Sequence, residues 1–320
     1  MTGSRTLRVA TRRSALALAQ STQVGARLAE LAGRPLELVE VVTAGDTDPS
    51  PLAQIGGTGV FVTAVRRAVV EGRADVAVHS LKDLPTAGDH RLDLVAVPER
   101  ADPRDVLVSR AGGGLAELPA GARIGTGSPR RRAQLAFARP DLEVLDLRGN
   151  VDTRLARVLG GSDGATAPDL DAVVLAAAGL ARLGRTGVIS EYLDPEVMLP
   201  APGQGALAVE VSAGSGLADT LRALDHPPTR AAVTAERSLL AALGVGCSAP
   251  VGALGAVDGA DEPPTIRVRA VLATHGTLLR RSTTGPTASA DRLGRDLAGA
   301  LLADARTQER PTIDRGRPIR

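Results

Sequence analysis

Between Thr6 and Ser80 short apolar runs alternate with amphipathic helical patterns, and that alternation narrows the chain to α/β architectures. TLRVAT (6–11) reads as a strand, Ser14 as a helix N-cap, and residues 15–31 as a helix closed by Gly33. LELVEVV (36–42) predicts a second strand. After the Gly-rich turn IGGTG (55–59), VFVTAVRRAVVEG (60–72) predicts a helix and ADVAVHS (74–80) a buried strand. The order is βαβαβ, an open parallel sheet with helices on both faces. HSLKDLP (79–85) thus sits at the C-terminal end of a strand, where such sheets hold ligands.

A second series begins near Asp102: RIGTG (strand), SPRRRAQLAFA (helix start), LEVLDL (strand), VDTRLARVL (helix) and LDAVVLAAAG (strand). LPAPGQGALAVEV (199–211) has the punctuation of a crossing segment that leads into one more strand. The expected organisation is a discontinuous first domain (1–101 and 200–217) with a second α/β domain (102–199) inserted in it. A smaller α+β domain follows (218–306), with strands VGALGAV and TIRVRAVLAT and a helix near 288–303. The Arg- and Pro-rich tail, 307–320, is expected to be disordered.

Composition excludes several functions. With two phenylalanines, one tyrosine and no tryptophan, the cores must be built from Ala, Leu and Val, and no aromatic platform for nucleic acid is available. The formal net charge is only +2, so any anion site must come from locally clustered arginines. No secretory leader or apolar run of membrane-spanning length is legible, which places the chain in the cytoplasm as an expectation. A single cysteine, Cys247, fits a reducing compartment and excludes both an internal disulfide and a cysteine-based metal cage.

Arginine is indeed clustered. GSPRRRAQL puts Ser128 at a helix N-cap with Arg130, Arg131 and Arg132 in the first turn, where cations oppose the helix dipole at a cost of about 0.3 to 1 kcal/mol each. A bound polyanion would compensate; a solvated basic face is the plainer alternative. Arg148 and Arg154 in LRGNVDTRL, Arg12 and Arg13, and Arg182 also follow strand ends. Their convergence on one cleft would suit a ligand with several carboxylates or phosphates. Lysine occurs once, at Lys82, beside Asp83. The pair reads either as an ordinary exposed ion pair or as a site that needs a compact ammonium where a planar guanidinium fails. Cys247, in GVGCSAPVG, is a small buried hydrophobe or an accessible thiol on a glycine-bounded loop.

ATRRSALAL, GGTGVF, ADVAVHSLKDLP, ERADPRDVLVS, GTGSPRRRAQL, LRGNVDTRL, LAAAGLARLG, LPAPGQGALAVE, TAERSLL and GCSAPVG occur in the order and spacing of one family. From about Leu7 to Ala303 the chain resembles porphobilinogen deaminase, also called hydroxymethylbilane synthase. The resemblance implies two domains like type II periplasmic binding proteins, with open mixed sheets, plus a small α+β domain. It implies a transferase of tetrapyrrole biosynthesis that joins four porphobilinogen molecules head to tail, releases ammonia, and frees hydroxymethylbilane by hydrolysis. A dipyrromethane cofactor, the primer for growth, would be attached through a thioether at Cys247. Each porphobilinogen would lose its amine to give an electrophile that the terminal pyrrole attacks, with Asp83 stabilising the cationic pyrrole N–H and assisting proton transfer.

By motif position, Ser80, Lys82, Asp83, Thr126, Ser128, Arg130, Arg131 and Arg148 would hold the cofactor. Arg12, Ser14, Arg148, Arg154 and Arg182 would bind substrate or the growing chain. No metal is implied. The family reading also implies a monomer, no nucleic-acid or membrane partner, and hand-over of product to uroporphyrinogen III synthase. Many members carry lysine where this sequence has Thr58 and a basic residue where it has Ala44, so the Gly-rich loop lacks those cations, although Gly56, Gly57 and Gly59 would keep it mobile over the cleft. Two other classes share parts of the pattern. A binding protein would have the two-lobed architecture without needing the cysteine, and a Schiff-base enzyme would use the lone lysine as nucleophile.

Overall fold

The computed structural model describes residues 6–42, 62–161, 166–245, 249–259, 262–274 and 276–309. Cys247, Ala44, Thr58 and the loop glycines Gly56, Gly57 and Gly59 lie outside these residues.

The first sheet contains strands β1 (Leu7–Arg12), β2 (Leu36–Val41), β3 (Val76–Ser80), β4 (Leu92–Ala96) and β10 (Leu207–Ser212). Their order is β2-β1-β3-β10-β4. β1 runs parallel to β2 and β3, and β10 is antiparallel to β3 and β4. Side chains alternate across the sheet. Leu7, Val9, Val76 and Val78 pack on one face with Val24 and Leu28 of helix α1 (Ala15–Ala32). Ala10 and Ala77 pack on the other with Val65 and Ala68 of α2 (Thr63–Val70).

The second sheet, β7-β6-β8-β5-β9, repeats the pattern. β6 (Arg123–Gly125) is parallel to β7 (Glu143–Leu145) and β8 (Ala172–Ala176), and β5 (Asp105–Ser109) is antiparallel to β8 and to the edge strand β9 (Glu191–Tyr192). Helices α3 (Pro129–Ala138), α4 (Val151–Leu159) and α5 (Ala177–Arg182) accompany it. Leu135 of α3 joins one core with Ile124 and Val174, while Leu155 and Val158 of α4 join another with Val173 and Leu175. The third sheet is an antiparallel meander of β11 (Val251–Asp258), β12 (Thr265–Thr274) and β13 (Thr277–Pro286). Leu239 of α6 (Pro227–Ala242) and Leu301 of α7 (Ala290–Glu309) pack against its Ile266 and Val268.

Four expectations change. The first sheet is mixed, as the resemblance implies and unlike the parallel sheet of the local βαβαβ reading, because β10 returns to it antiparallel and fills the place between β3 and β4. LDAVVLAAAG is not one strand: the backbone turns helical at Ala177, where Ala177, Ala178 and Leu180 bury against the sheet. The third sheet has a strand, TLLRRSTTGP, that its polar and basic residues conceal. Of the tail expected at 307–320, residues Thr307, Gln308 and Glu309 continue α7 and 310–320 lie outside the described residues. Among the described residues, no helix is long and apolar enough to cross a membrane.

Candidate active site

Register delivers the first groups. In the β10–β3 pair Leu207 faces Ser80, and the Leu81 amide donates to the Ala206 carbonyl at 3.0 Å. A single 3-10 turn, Leu81–Asp83, follows β3 with Leu81 fully buried as its anchor. This leaves Lys82 half-buried and Asp83 exposed. Lys82 Nζ donates to Gln204 Oε1 at 3.4 Å. Desolvation dominates its environment and lowers the ammonium pKa from 10.5 to about 8; Asp83 and Asp105 pull it upward while Arg131 and Arg130 push it down.

Ser128 caps α3, accepting from the Arg131 amide at 3.4 Å, and the Ser128 amide donates to Thr126 Oγ1 at 3.2 Å. Arg130 and Arg131 do not project into solvent; they are 4% and 5% exposed and share Asp105, which is fully buried at the start of β5. Arg130 Nη1 reaches Asp105 Oδ2 at 2.7 Å and the Leu199 carbonyl at 2.6 Å. Arg131 donates Nε and Nη2 to Asp105 Oδ1, at 3.1 and 2.7 Å, and Nη1 to the Val174 carbonyl at 2.8 Å. The compensation expected from a bound polyanion is therefore supplied in part by an internal carboxylate. Arg132 faces the surface and donates to the Val144 carbonyl.

Burial pushes the Asp105 carboxyl upward, but Arg130 and Arg131 outweigh it and hold the group below the usual carboxylate range. A carboxyl depressed on folding stabilises the native state above its unfolded pKa of about 3.9 and loses that contribution as pH falls through the folded value. Asp105→Asn strands two buried guanidinium groups and should cost about 3 to 5 kcal/mol, since one partner of a buried ion pair is removed. Chemical denaturation at neutral pH checks the loss. Titration below about pH 4 should show a shallower acid destabilisation in the variant than in the parent.

Arg154 and Arg182 adjoin this core, and Arg148 stands beside Arg154. Arg154 donates Nε to the Gly149 carbonyl at 2.8 Å, and Arg148 lies 3.5 Å from Asp146. Burial, then repulsion from Arg131, lowers the Arg154 pKa, with Asp146 opposing and Arg148 adding, so Arg131, Arg148 and Arg154 share one electrostatic neighbourhood. Arg182, at the end of α5, donates Nη2 to the Gly205 carbonyl at 2.7 Å, and burial alone lowers its pKa to about 10. Arg12 ends β1, and Ser14 caps α1 by accepting from the Ala17 amide. A Cβ at Gly179 of α5 would meet Leu16 of α1 at 3.7 Å, so α1, which packs on the first sheet, and α5, which accompanies the second, lie directly against each other. Ser80 is the half-buried last residue of β3.

Sequence reasoning missed three residues. Gln204 lies between Gly203 and Gly205, whose φ values of 76° and 87° demand glycine. A Cβ at Gly205 would stand 2.5 Å from the Ala101 carbonyl oxygen, and one at Gly203 would stand 3.3 Å from the Lys82 amide nitrogen. Glu236, fully buried on α6, receives Arg100 at 2.6 and 3.0 Å and also the amides of Gly203 and Gly255. Asp105 opens an otherwise apolar run, and a carboxylate at the head of a fully buried strand was the available signal. Beside Lys82 a cavity of about 40 Å³ is lined by Ser128, Arg130, Pro202, Leu240 and Ala249, thus by loops and helices that accompany all three sheets. Ala249 is two positions beyond Cys247.

A family model described as porphobilinogen deaminase, dipyromethane cofactor binding domain, matches residues 7–219, and one for the porphobilinogen deaminase C-terminal domain matches 230–303. The chain belongs to the porphobilinogen deaminase family. Porphobilinogen deaminase 1 of Streptomyces coelicolor is 53% identical over 311 residues, covering 94% of this chain and 95% of that relative. Porphobilinogen deaminase of Acidothermus cellulolyticus is 52% identical over 304 residues, with 92% and 88% covered. Among solved structures, an ABC transporter periplasmic substrate-binding protein from Coxiella burnetii aligns with TM-score 0.41 and 15% identity, over 70% of this chain and 93% of that one. Gln204 and Asp105, which the motif reading passed over, fall within the segment matched to the family's cofactor-binding domain.

Proposed function

We propose that Lys82, Arg130 and Arg131, with Ser80, Asp83, Thr126, Ser128 and Arg148, receive a dipyrromethane primer attached through a thioether at Cys247, and that Asp83 is the catalytic carboxylate. The enzyme is a transferase, a hydroxymethylbilane synthase, which condenses four porphobilinogen molecules head to tail and releases ammonia. The observation that carries the site assignment is the meeting of Lys82, Ser128 and Arg130 around a cavity that Ala249, two positions beyond Cys247, also lines. The donor set fits the group. A dipyrromethane bears four carboxylates, and three cations set against the single internal Asp105 leave positive charge for them.

When bound, the primer supplies a nucleophilic pyrrole carbon as the starting point of the chain. The chain's own residues hold and polarise. Lys82, half-buried with its pKa lowered to about 8, is still mostly protonated at neutral pH, and a ligand carboxylate that replaces lost water raises that pKa again. Asp83, exposed at the cleft, sets a fixed negative charge where positive charge develops on the substrate pyrrole and offers an oxygen to its N–H. Arg12, Ser14, Arg148, Arg154 and Arg182 bind substrate carboxylates and the growing product. Arg182 suits this role because its partly buried guanidinium, with a pKa of about 10, stays charged at neutral pH and donates to a carbonyl rather than to a carboxylate.

We take the three sheets as three domains, exchanged near residues 101, 199 and 217. The working form in this reading is a cytoplasmic monomer that passes its product to uroporphyrinogen III synthase.

The arginines should divide by position. Arg131→Leu should purify without primer, because its carboxylates lose charge-assisted bonds worth about 1.5 to 3 kcal/mol each, and it should also melt earlier because Asp105 loses a partner. Arg182→Leu should carry primer and stall during elongation. Intact mass before and after substrate addition reads both, and primer-free protein from both variants would overturn the division.

A further inference from the structure

Gln204 is 1% exposed, and its carboxamide is committed at both ends. Nε2 donates to Asp105 Oδ1 at 2.9 Å and to the Pro103 carbonyl at 2.8 Å, and Oε1 accepts from Lys82 Nζ at 3.4 Å. Two acceptors on one side and an ammonium on the other leave only one orientation of the amide that pairs every group. The backbone is held as firmly: the Gln204 carbonyl accepts from Arg100 Nε at 2.8 Å, and the flanking glycines permit the close approach to Ala101 and Lys82. Lys82 follows the first sheet and Asp105 begins a strand of the second.

We propose that Gln204 is a positioning residue for primer binding: its neutral carboxamide stands between the Lys82 ammonium and the Asp105 carboxylate and keeps that ammonium available to a ligand. This inference rests on the reading of Lys82 as a primer ligand. The charged groups that act on Lys82 are Asp83, Asp105, Arg130 and Arg131. Asp105 already serves two guanidinium groups. A direct Lys82–Asp105 pair would draw the ammonium out of the cavity and weaken the grip on both arginines. An amide prevents this without adding charge, since it offers an acceptor to the cation and a donor to the anion. Glutamate at 204 would become a full partner for Lys82 and compete with any ligand carboxylate. Methionine would fill the volume and offer no comparable acceptor.

Because Lys82 is the only lysine, ε-¹³C-lysine labelling gives one side-chain resonance, and its titration reports this ammonium alone. In a Cys247→Ala background, which in the reading above carries no primer, Gln204→Met should lower the midpoint and Gln204→Glu should raise it, each by about one pH unit. With Cys247 present, both variants should show at least about a five-fold lower primer content by intact mass. A purely structural residue would lower the melting temperature without moving the midpoint in opposite directions, and either folded variant decides through the sign of its displacement. Midpoints that match the parent or shift together, or wild-type primer content in both variants, would overturn the proposal. Lys82→Met separates the two levels: full primer content there refutes Lys82 as a ligand, whereas its loss beside unmoved Gln204 midpoints refutes only the positioning role.

Discussion

Cys247→Ala protein should have the mass of the bare polypeptide, give no pyrrole colour reaction and turn over no porphobilinogen. The parent should be heavier by two pyrrole rings. The effect is expected to be complete because Cys247 is the only thiol in the chain, so no second nucleophile of its kind can anchor a primer. Removing the anchor takes away the nucleophilic carbon to which the first substrate is joined, a loss that binding energy elsewhere cannot restore. Parent protein of bare mass that still makes hydroxymethylbilane would overturn the thioether assignment.

Asp83→Asn should load primer and lose about 100- to 1,000-fold in kcat, the equivalent of roughly 2.7 to 4 kcal/mol for one preorganised electrostatic partner. Asparagine keeps the shape and removes the charge that opposes the pyrrole cation. Asp83→Glu keeps the charge but displaces it by one methylene, so small residual activity should remain. Lys82→Arg preserves charge too, and should weaken primer loading or substrate binding because a planar fork cannot occupy the place of a compact ammonium beside Gln204. Near-normal turnover in Asp83→Asn, together with a dead Lys82→Arg and borohydride trapping of substrate on Lys82, would replace this mechanism with a Schiff-base one.

Local signals proved readable where local physics decides. Ser14 and Ser128 cap their helices as their residue types predict, and VDTRLARVL forms a helix over the span its apolar period indicates. What failed was decided by distant partners. The polarity of the first sheet depends on β10, which follows more than a hundred residues after β3, and nothing in ALAVEV states between which strands it will insert. The arginine run was legible as a charge cluster, but its internal counter-ion lies 25 positions upstream of Arg130 and reads locally as the start of an apolar strand. Gln204 was hidden for a different reason. A glutamine between glycines looks like turn chemistry until Lys82 and Asp105 are found on either side of it.

The late return of β10 also bears on how the chain is made. β4 pairs with β10 and with no other described strand, so the first sheet stays incomplete until residues 207–212 have left the ribosome. At about 5 to 20 residues per second, roughly 7 to 26 s separate the appearance of Ser80 from that of Ser212. The strands of the second sheet all lie between residues 105 and 192, and this unit can close while the earlier one still waits with an open edge. Translation order is thereby inverted in the order of completion, and the groove between the sheets takes its final form only when a strand encoded late is threaded into the sheet encoded first.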